Sequence, residues 1–260
     1  EDLRRAGKMR VFFAADLHNN DALMAHWLAE FLRLVLQLPR DKVFVSVYDS
    51  ASRDTTPTWV GLLTSLLVVE EVPHVVVSDP GDGRRQGQHR IEFLAHVRNK
   101  AIAPLGVLRG FEHNLPSSLN DTDADAPLLI DPEQAFDKVV FLNDVYFCAR
   151  DIVRLLLHDV DMSCGMDYDL NIAGRSRLTG TPQFYDTWVA RDMTGKPLKK
   201  VPPHFHDPAD VDNFKRGRPV QVQCCWNGMT VMNALPFHRG LRFRHARGDK
   251  ECKSSECSHA

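Results

Sequence analysis

Several features that would fix a function class are scarce or missing in this chain. Excess charge of one sign is missing: 32 Lys and Arg stand against 34 Asp and Glu, for a formal net charge of -2. That balance excludes the basic footprint of a dedicated nucleic-acid binder. Long hydrophobic runs are missing as well. The longest, Trp59 to Val69 (WVGLLTSLLVV), is interrupted by polar residues and is about half the roughly 20 residues a bilayer-crossing helix needs, so it reads as a core helix. The chain opens at Glu1 with no methionine and no hydrophobic leader, as expected of a domain whose targeting segment has been trimmed away.

Cysteine is sparse, with 6 in 260 residues, too few for a disulfide-dense scaffold. Cys252 and Cys257 beside His259 resemble half a zinc site. The remaining close pair, Cys224 and Cys225, is adjacent in sequence and ill suited to tetrahedral coordination. A disulfide between Cys252 and Cys257 in an oxidising lumen is the favoured reading, while Cys148 and Cys164 lie in apolar sequence and read as packing residues. Internal repeats and low-complexity tracts are absent from the sequence.

What the sequence does contain, over its first half, is alternation. RVFFAA (10–15) is an apolar strand, and Asn19-Asn20 precedes a helical pattern to about Leu38, stopped by Pro39. VFVSVY (43–48) is a second strand, 57–69 the next helix, and 74–78 a third strand. A polar glycine-rich break, GDGRRQGQ (81–88), leads into the amphipathic HRIEFLAHVRNKAIAPL (89–105), expected to end at Pro104. A loop rich in Asp, Ser and Pro covers 114–132. Residues 136–156 then read as a buried strand, an Asn-Asp pair and a helix. Alternation of this kind predicts an α/β fold with a mostly parallel central sheet covered by helices. After Val160 the strands shorten and the loops lengthen, with five prolines between Thr194 and Pro219.

In an open parallel sheet, ligands bind beyond the carboxyl ends of the strands. Asp16 ends the first strand, Asp49 to Asp54 follow the second, and Asn143-Asp144 follow the fourth. Arg98, on the helix after the third strand, offers a guanidinium suited to phosphate oxygens. A carboxylate at a strand end can hold a divalent cation that bridges those phosphates. The outline is that of a nucleotide or nucleotide-sugar site. Each Asp can equally be a helix cap, a weaker explanation for Asp144 because Val145-Tyr146-Phe147 embed it in apolar sequence.

Four ordered blocks, FLNDVYFCARDIVRLL (141–156), FYDTWVARDMTG (184–195), CWNGMTV (225–231) and ECKSSEC (251–257), together with SVYDSASRDTT and VRNKAIAPL, resemble the cryptococcal mannosyltransferase family of fungal, capsule-associated alpha-1,3-mannosyltransferases. The resemblance spans nearly the whole chain. It implies a GT-A glycosyltransferase fold in one catalytic domain: a Rossmann-like nucleotide-sugar-binding half (1–143) and an acceptor-binding half (144–260). The implied activity is a retaining, metal-dependent transfer of mannose from GDP-mannose to a mannose-containing glycan in capsule or cell-wall polysaccharide synthesis, with Mn2+ or another divalent cation. The native protein would be a type II membrane protein facing the Golgi lumen.

Asn143-Asp144 falls at the family's Asp-x-Asp-like element but keeps one carboxylate, so Asp144 is the expected metal ligand and Asn143 its neighbour. His245 and His259 are candidates for a second ligand. Ala15 and Asp16 form the first nucleotide-binding turn, where the family often has Asn for Asp16. Asp49, Asp54 and Arg98 would line the donor. Asp167 and Asp186 are the catalytic candidates, either steadying an oxocarbenium-like state or acting as nucleophile. Trp188, Trp226 and Asn227 would form the acceptor wall, since aromatic faces suit sugar C–H patches.

Two other classes remain open on sequence. Asp16-x-His18 after the first strand, with Gly81-Asp82, resembles the start of a two-metal phosphoesterase, although a Gly-Asn-His block is lacking. A glycan-binding module of the same fold would tolerate the reduced Asp-x-Asp element.

Overall fold

The computed structural model describes residues 1–107, 135–169 and 182–245. In chain order its elements are α1 (Asp2–Ala6), β1 (Val11–Leu17), α2 (Asp21–Val35), β2 (Val43–Ser50), α3 (Thr56–Val69), β3 (His74–Asp79), α4 (Arg90–Val107) and β4 (Lys138–Leu142). They continue with α5 (Ala149–Leu156), β5 (Met162–Cys164), β6 (Tyr168–Asp169), β7 (Gln183–Phe184), α6 (Pro208–Lys215), β8 (Met229–Asn233) and α7 (Leu235–His238). The described residues divide into two compact units: Glu1–Ser163 with the segment from Val231 onward, and Cys164–Thr230.

The expected α/β architecture is present. A six-stranded sheet runs in the order β3-β2-β1-β4-β8-β5, and β1 pairs in parallel with both β2 and β4, as β2 does with β3. The strand order steps outward from β1 to β3 and then returns to the other side of β1 for β4. That reversal is a topological switch point, where the crossovers on either side leave a crevice at the strands' carboxyl ends. Right-handed crossovers place α2 and α3 on one face of the sheet and α4 on the other.

Strand alternation supplies the matching core. Phe12 and Phe13 are both buried and point to opposite faces. Phe13 meets Phe31 of α2 edge-on, whereas Phe12 stacks on Phe44. On the α2 face Trp27 stacks on Phe31 and meets Phe147. β2 is buried along its whole length, as a central strand covered on both sides must be.

One boundary differs from expectation. α4 runs through Pro104 to Val107. Pro104 forfeits the N–H bond to the Lys100 carbonyl, and the apolar face that Val97, Ala101, Ile102 and Leu105 bury holds the helix through it.

The second unit has its own small core of Phe184, Ala190, Leu198 and Phe205, with Met166, Val211 and Phe214 packed against it. A hairpin-like pairing of β6 with β7 sets Tyr168 opposite Phe184, and Asp207 caps α6 by accepting from the Ala209 N–H at 2.7 Å. The unit is stapled near its two ends by a Cys164–Cys225 disulfide. Cys164 is therefore a bridge and not a packing residue, and Cys148 is a free, exposed thiol. Neither apolar neighbours nor spacing could reveal this partner, because the two residues are 61 positions apart in sequence. Cys252, Cys257 and the loop expected at 114–132 lie outside the described residues.

Closing a loop of that length removes about 4 kcal/mol of chain entropy from the unfolded state. Replacing Cys164 and Cys225 together by serine is accordingly expected to destabilise the second unit by about 2–4 kcal/mol. Denaturant unfolding monitored within that unit checks this, and unchanged stability would show that the bridge is not a staple.

Candidate functional site

The sequence candidates for the donor site converge at the switch point in the first unit. Parallel register sets Ala15 beside Leu142, so Asn143-Asp144 leave the sheet next to Asp16, which is still in β1 and paired with Tyr48 of β2. Asp16 follows Phe12 and Ala14 on the α4 face, and Arg98 approaches from α4 with its guanidinium 6.0 Å from the Phe243 ring centre. Asn99, next to it, donates to the Phe243 carbonyl at 2.8 Å and accepts from its N–H at 2.9 Å. That clamp fixes the 241–245 segment on α4.

Asp16 is the most stressed group of the cluster. Its Oδ1 is out of solvent and has no hydrogen-bond partner among the described residues. Burial pushes its carboxyl up to about 6; the positive charge of Arg98 opposes the rise and the negative charge of Asp144 adds to it. Asp144 itself is exposed, contrary to the expectation that apolar neighbours would enclose it. Only Phe147 of those neighbours is buried, while Tyr146 points outward.

The other acids near the strand ends have internal work. Asp49 is fully buried and accepts hydrogen bonds from the Ser52 and Ser78 hydroxyls, so it braces the ends of β2 and β3. Asp54 accepts from the backbone N–H groups of Asp21 and Thr56, each at 2.9 Å, and serves the starts of α2 and α3. Burial raises its carboxyl, but bonds from Thr56 and Asp21 outweigh this and hold it low. At the far side of β2, Tyr48 donates to Asp82 at 2.6 Å, and His96 bonds the same carboxylate at 2.7 Å. This pins the glycine-rich loop to the body. The sequence reading did not anticipate that network.

The phosphoesterase reading meets an obstacle at His18. One ring nitrogen donates to the Ser50 carbonyl and the other accepts from the Asn19 side chain. Asn19 adopts a left-handed backbone, φ 53°, from which its side chain also accepts from the Arg53 N–H at 2.7 Å. His18 is thus a linchpin between two loops. Asp82, the reading's second block, is taken by Tyr48 and His96 as described.

A divalent cation can be tested against these residues. No group of three or more His, Cys, Asp and Glu that could hold a metal occurs among the described residues. Cations that serve nucleotide phosphates need no such group, since one or two carboxylates plus substrate phosphate oxygens suffice. Asp144, exposed, and Asp16, with its unpartnered oxygen, fit that requirement. His245 stacks on His89 with ring centres 4.2 Å apart; His259 lies outside the described residues.

In the second unit, Asp167 accepts from the Tyr185 N–H through its carbonyl at 3.2 Å, and the Asp186 carbonyl accepts from Val189 and Ala190. Asp186 is buried and Asp167 half-buried. Trp226 is buried and Trp188 half-buried. Asn227 is buried and donates to the Gly165 carbonyl at 2.8 Å, where a Cβ on Gly165 would sit 2.7 Å from Met229.

A family described as Cryptococcal mannosyltransferase 1 matches residues 10–260. The chain belongs to the cryptococcal mannosyltransferase family. It is 25% identical over 98% of its length to the alpha-1,3-mannosyltransferase CMT1 of Cryptococcus neoformans, of which it covers 54%. The chain thus spans about half the length of this family relative. Among solved structures, the mannosyltransferase PcManGT of Pyrobaculum calidifontis in complex with GDP-Man and Mn2+ shares 15% identity, with a TM-score of 0.42, over 90% of this chain and 47% of that one.

The raised Asp16 carboxyl has a signed consequence. The folded state binds this proton more tightly than the unfolded state, so its contribution is present below about pH 4 and is lost as pH rises through about 6. Near neutral pH the ionised group costs on the order of 3 kcal/mol. Asp16→Asn should therefore raise the melting temperature at pH 7.5 and not at pH 4. Equal effects at both pH values would show that Asp16 is not strained in the folded protein.

Proposed function

We propose that this chain is the catalytic portion of a retaining mannosyltransferase that moves mannose from GDP-mannose to a mannose-containing glycan, with an alpha-1,3 linkage. The supporting observation is the switch-point cluster: Asp16 and Asp144 at the ends of paired strands β1 and β4, with the charge of Arg98 of α4 acting on Asp16, in a member of a mannosyltransferase family. Mannosyl transfer needs a site that accepts a diphosphate and stabilises it as it departs. These residues are suited to that task.

Asp144 and Asp16 would hold a divalent cation, Mn2+ in the first instance, and Arg98 would place its guanidinium against the diphosphate oxygens. The cation would supply neutralisation of the charge that grows on the leaving group, where a transition state most benefits from it. Ala15 and Asn143 bring backbone to the same strand ends. Asp49 and Asp54 would shape the nucleotide side through the loops they brace. In the second unit, Asp167 and Asp186 are assigned to the reacting centre, and Trp188, Trp226 and Asn227 to the acceptor. The Cys164–Cys225 bridge supports residence in an oxidising compartment, in keeping with a Golgi lumenal domain.

A binding module that has lost donor chemistry is the second reading. A half-buried Asp16 with one carboxylate oxygen lacking a hydrogen-bond partner among the described residues, next to a second carboxylate, speaks against it, because a pure glycan binder gains nothing from that destabilising pair.

Asp144→Asn removes the charge without changing the side chain's size. It is expected to lower mannosyl transfer from GDP-mannose at least a hundredfold, about 3 kcal/mol of transition-state stabilisation, while the melting temperature without ligand stays within about 2 °C. Transfer assays with GDP-[14C]mannose and a panel of mannosides check this. Wild-type rates in the variant would remove Asp144 from the reaction.

A further inference from the structure

We propose that one face of α2 is the template that sets the position of Asp144, and that His26 and Glu30 are its positioning residues. The proposal rests on the reading of Asp144 as the cation-holding carboxylate. Between the last residue of β4 and the first of α5, residues 143–148 have no regular structure, so their backbone groups must find partners elsewhere.

They find them on α2. The Trp27 indole N–H donates to the Asn143 carbonyl at 3.3 Å, and the His26 Nε2–H donates to the Phe147 carbonyl at 2.8 Å. A Glu30 carboxylate oxygen accepts from the Ala149 N–H at 2.9 Å, one of the donors left free at the start of α5. In return the Tyr146 hydroxyl donates to the Ala22 carbonyl at 3.1 Å. Residues 22, 26 and 30 recur at the four-residue spacing that lines one face of a helix. Both flanks of Asp144 are thereby tied down. Asp144 itself takes no part in these bonds and stays exposed.

Packing alone does not call for this chemistry. α2 could rest on α5 through leucines, and a carboxylate as buried as Glu30, 9% exposed, is costly to desolvate. Its second oxygen is paired with Arg33 at 2.5 Å, so the charge is held in place while the first oxygen closes α5. The negative charge also suits that helix's N-terminal dipole. A template that fixes the backbone on either side of a metal-holding carboxylate limits its freedom to miss the cation, much as outer partners orient metal ligands elsewhere.

The test compares His26→Ala with His26→Gln, whose amide keeps a donor at similar reach, and uses Asp144→Asn as reference, all in the full chain. Amide hydrogen exchange over residues 143–149 reads the template directly. Mn2+ affinity in the presence of GDP, by calorimetry or by Mn2+ electron paramagnetic resonance, reads its consequence. His26→Ala should deprotect 143–149 while leaving the β1 and β2 amides unchanged, and should weaken Mn2+ binding about tenfold; His26→Gln should stay within twofold of wild type. Unaltered exchange in His26→Ala, or Mn2+ affinity unchanged there while Asp144→Asn abolishes it, would overturn the template. Should Asp144→Asn leave Mn2+ affinity intact although His26→Ala loosens the loop, the reading of Asp144 fails and this proposal falls with it.

Discussion

The parallel pairing of β1 with β4 is the constraint on which the rest depends. It is non-local: the partners Ala15 and Leu142 meet only after two strands, β2 and β3, and three helices, α2 to α4, have intervened in the chain. Because the strands run in the same direction, their carboxyl ends reach the same edge, and whatever each strand carries next is delivered there. What they carry are Asp16 and Asp144. The protein therefore holds two acids in proximity that would repel each other in the absence of a cation, one of them pushed up to about 6 by burial. Such strain persists only where the surrounding structure over-determines it. The phenylalanine core around Phe12 and Phe13 and the α2 contacts with the loop after β4 supply that rigidity.

This arrangement divides labour between acids in a way composition alone conceals. Asp49 and Asp54 have their oxygens turned to hydroxyls and backbone N–H groups, and so make the loops stiff. Asp16 and Asp144 are left available. The same residue type, at the same edge of the same sheet, serves as mortar in two cases and as a candidate ligand in two. The discriminating property is hydrogen-bond satisfaction, which only three-dimensional structure reveals.

That distinction marks the limit of what the sequence could disclose. Strand and helix alternation was legible because period-2 and helical patterns are local, and the positions of β1 to β4, α2 and α3 came within a few residues. The end of α4 was misjudged because the tertiary burial of Val97, Ala101, Ile102 and Leu105 outweighs the one helical bond that Pro104 forfeits. Asp144 read as enclosed because neighbours in sequence are a poor guide to burial in a loop. Cys164 was missed because its partner is distant along the chain. Family membership was carried by ordered blocks such as FLNDVYF and CWNGMTV. The role of α2 was not visible to a reading centred on strand ends, although His26 and Glu30, four residues apart on one face of a helix, were the available signal.

The central claim is that the switch point binds a guanosine diphosphate through a divalent cation. Isothermal titration of the full chain with GDP, and separately with UDP, each with Mn2+ and with EDTA, tests it most directly. The expected result is GDP binding that requires Mn2+ and is lost on chelation, with UDP weaker by at least tenfold, about 1.4 kcal/mol. GDP binding of equal strength with and without the metal, or no nucleotide binding under any condition, would contradict it.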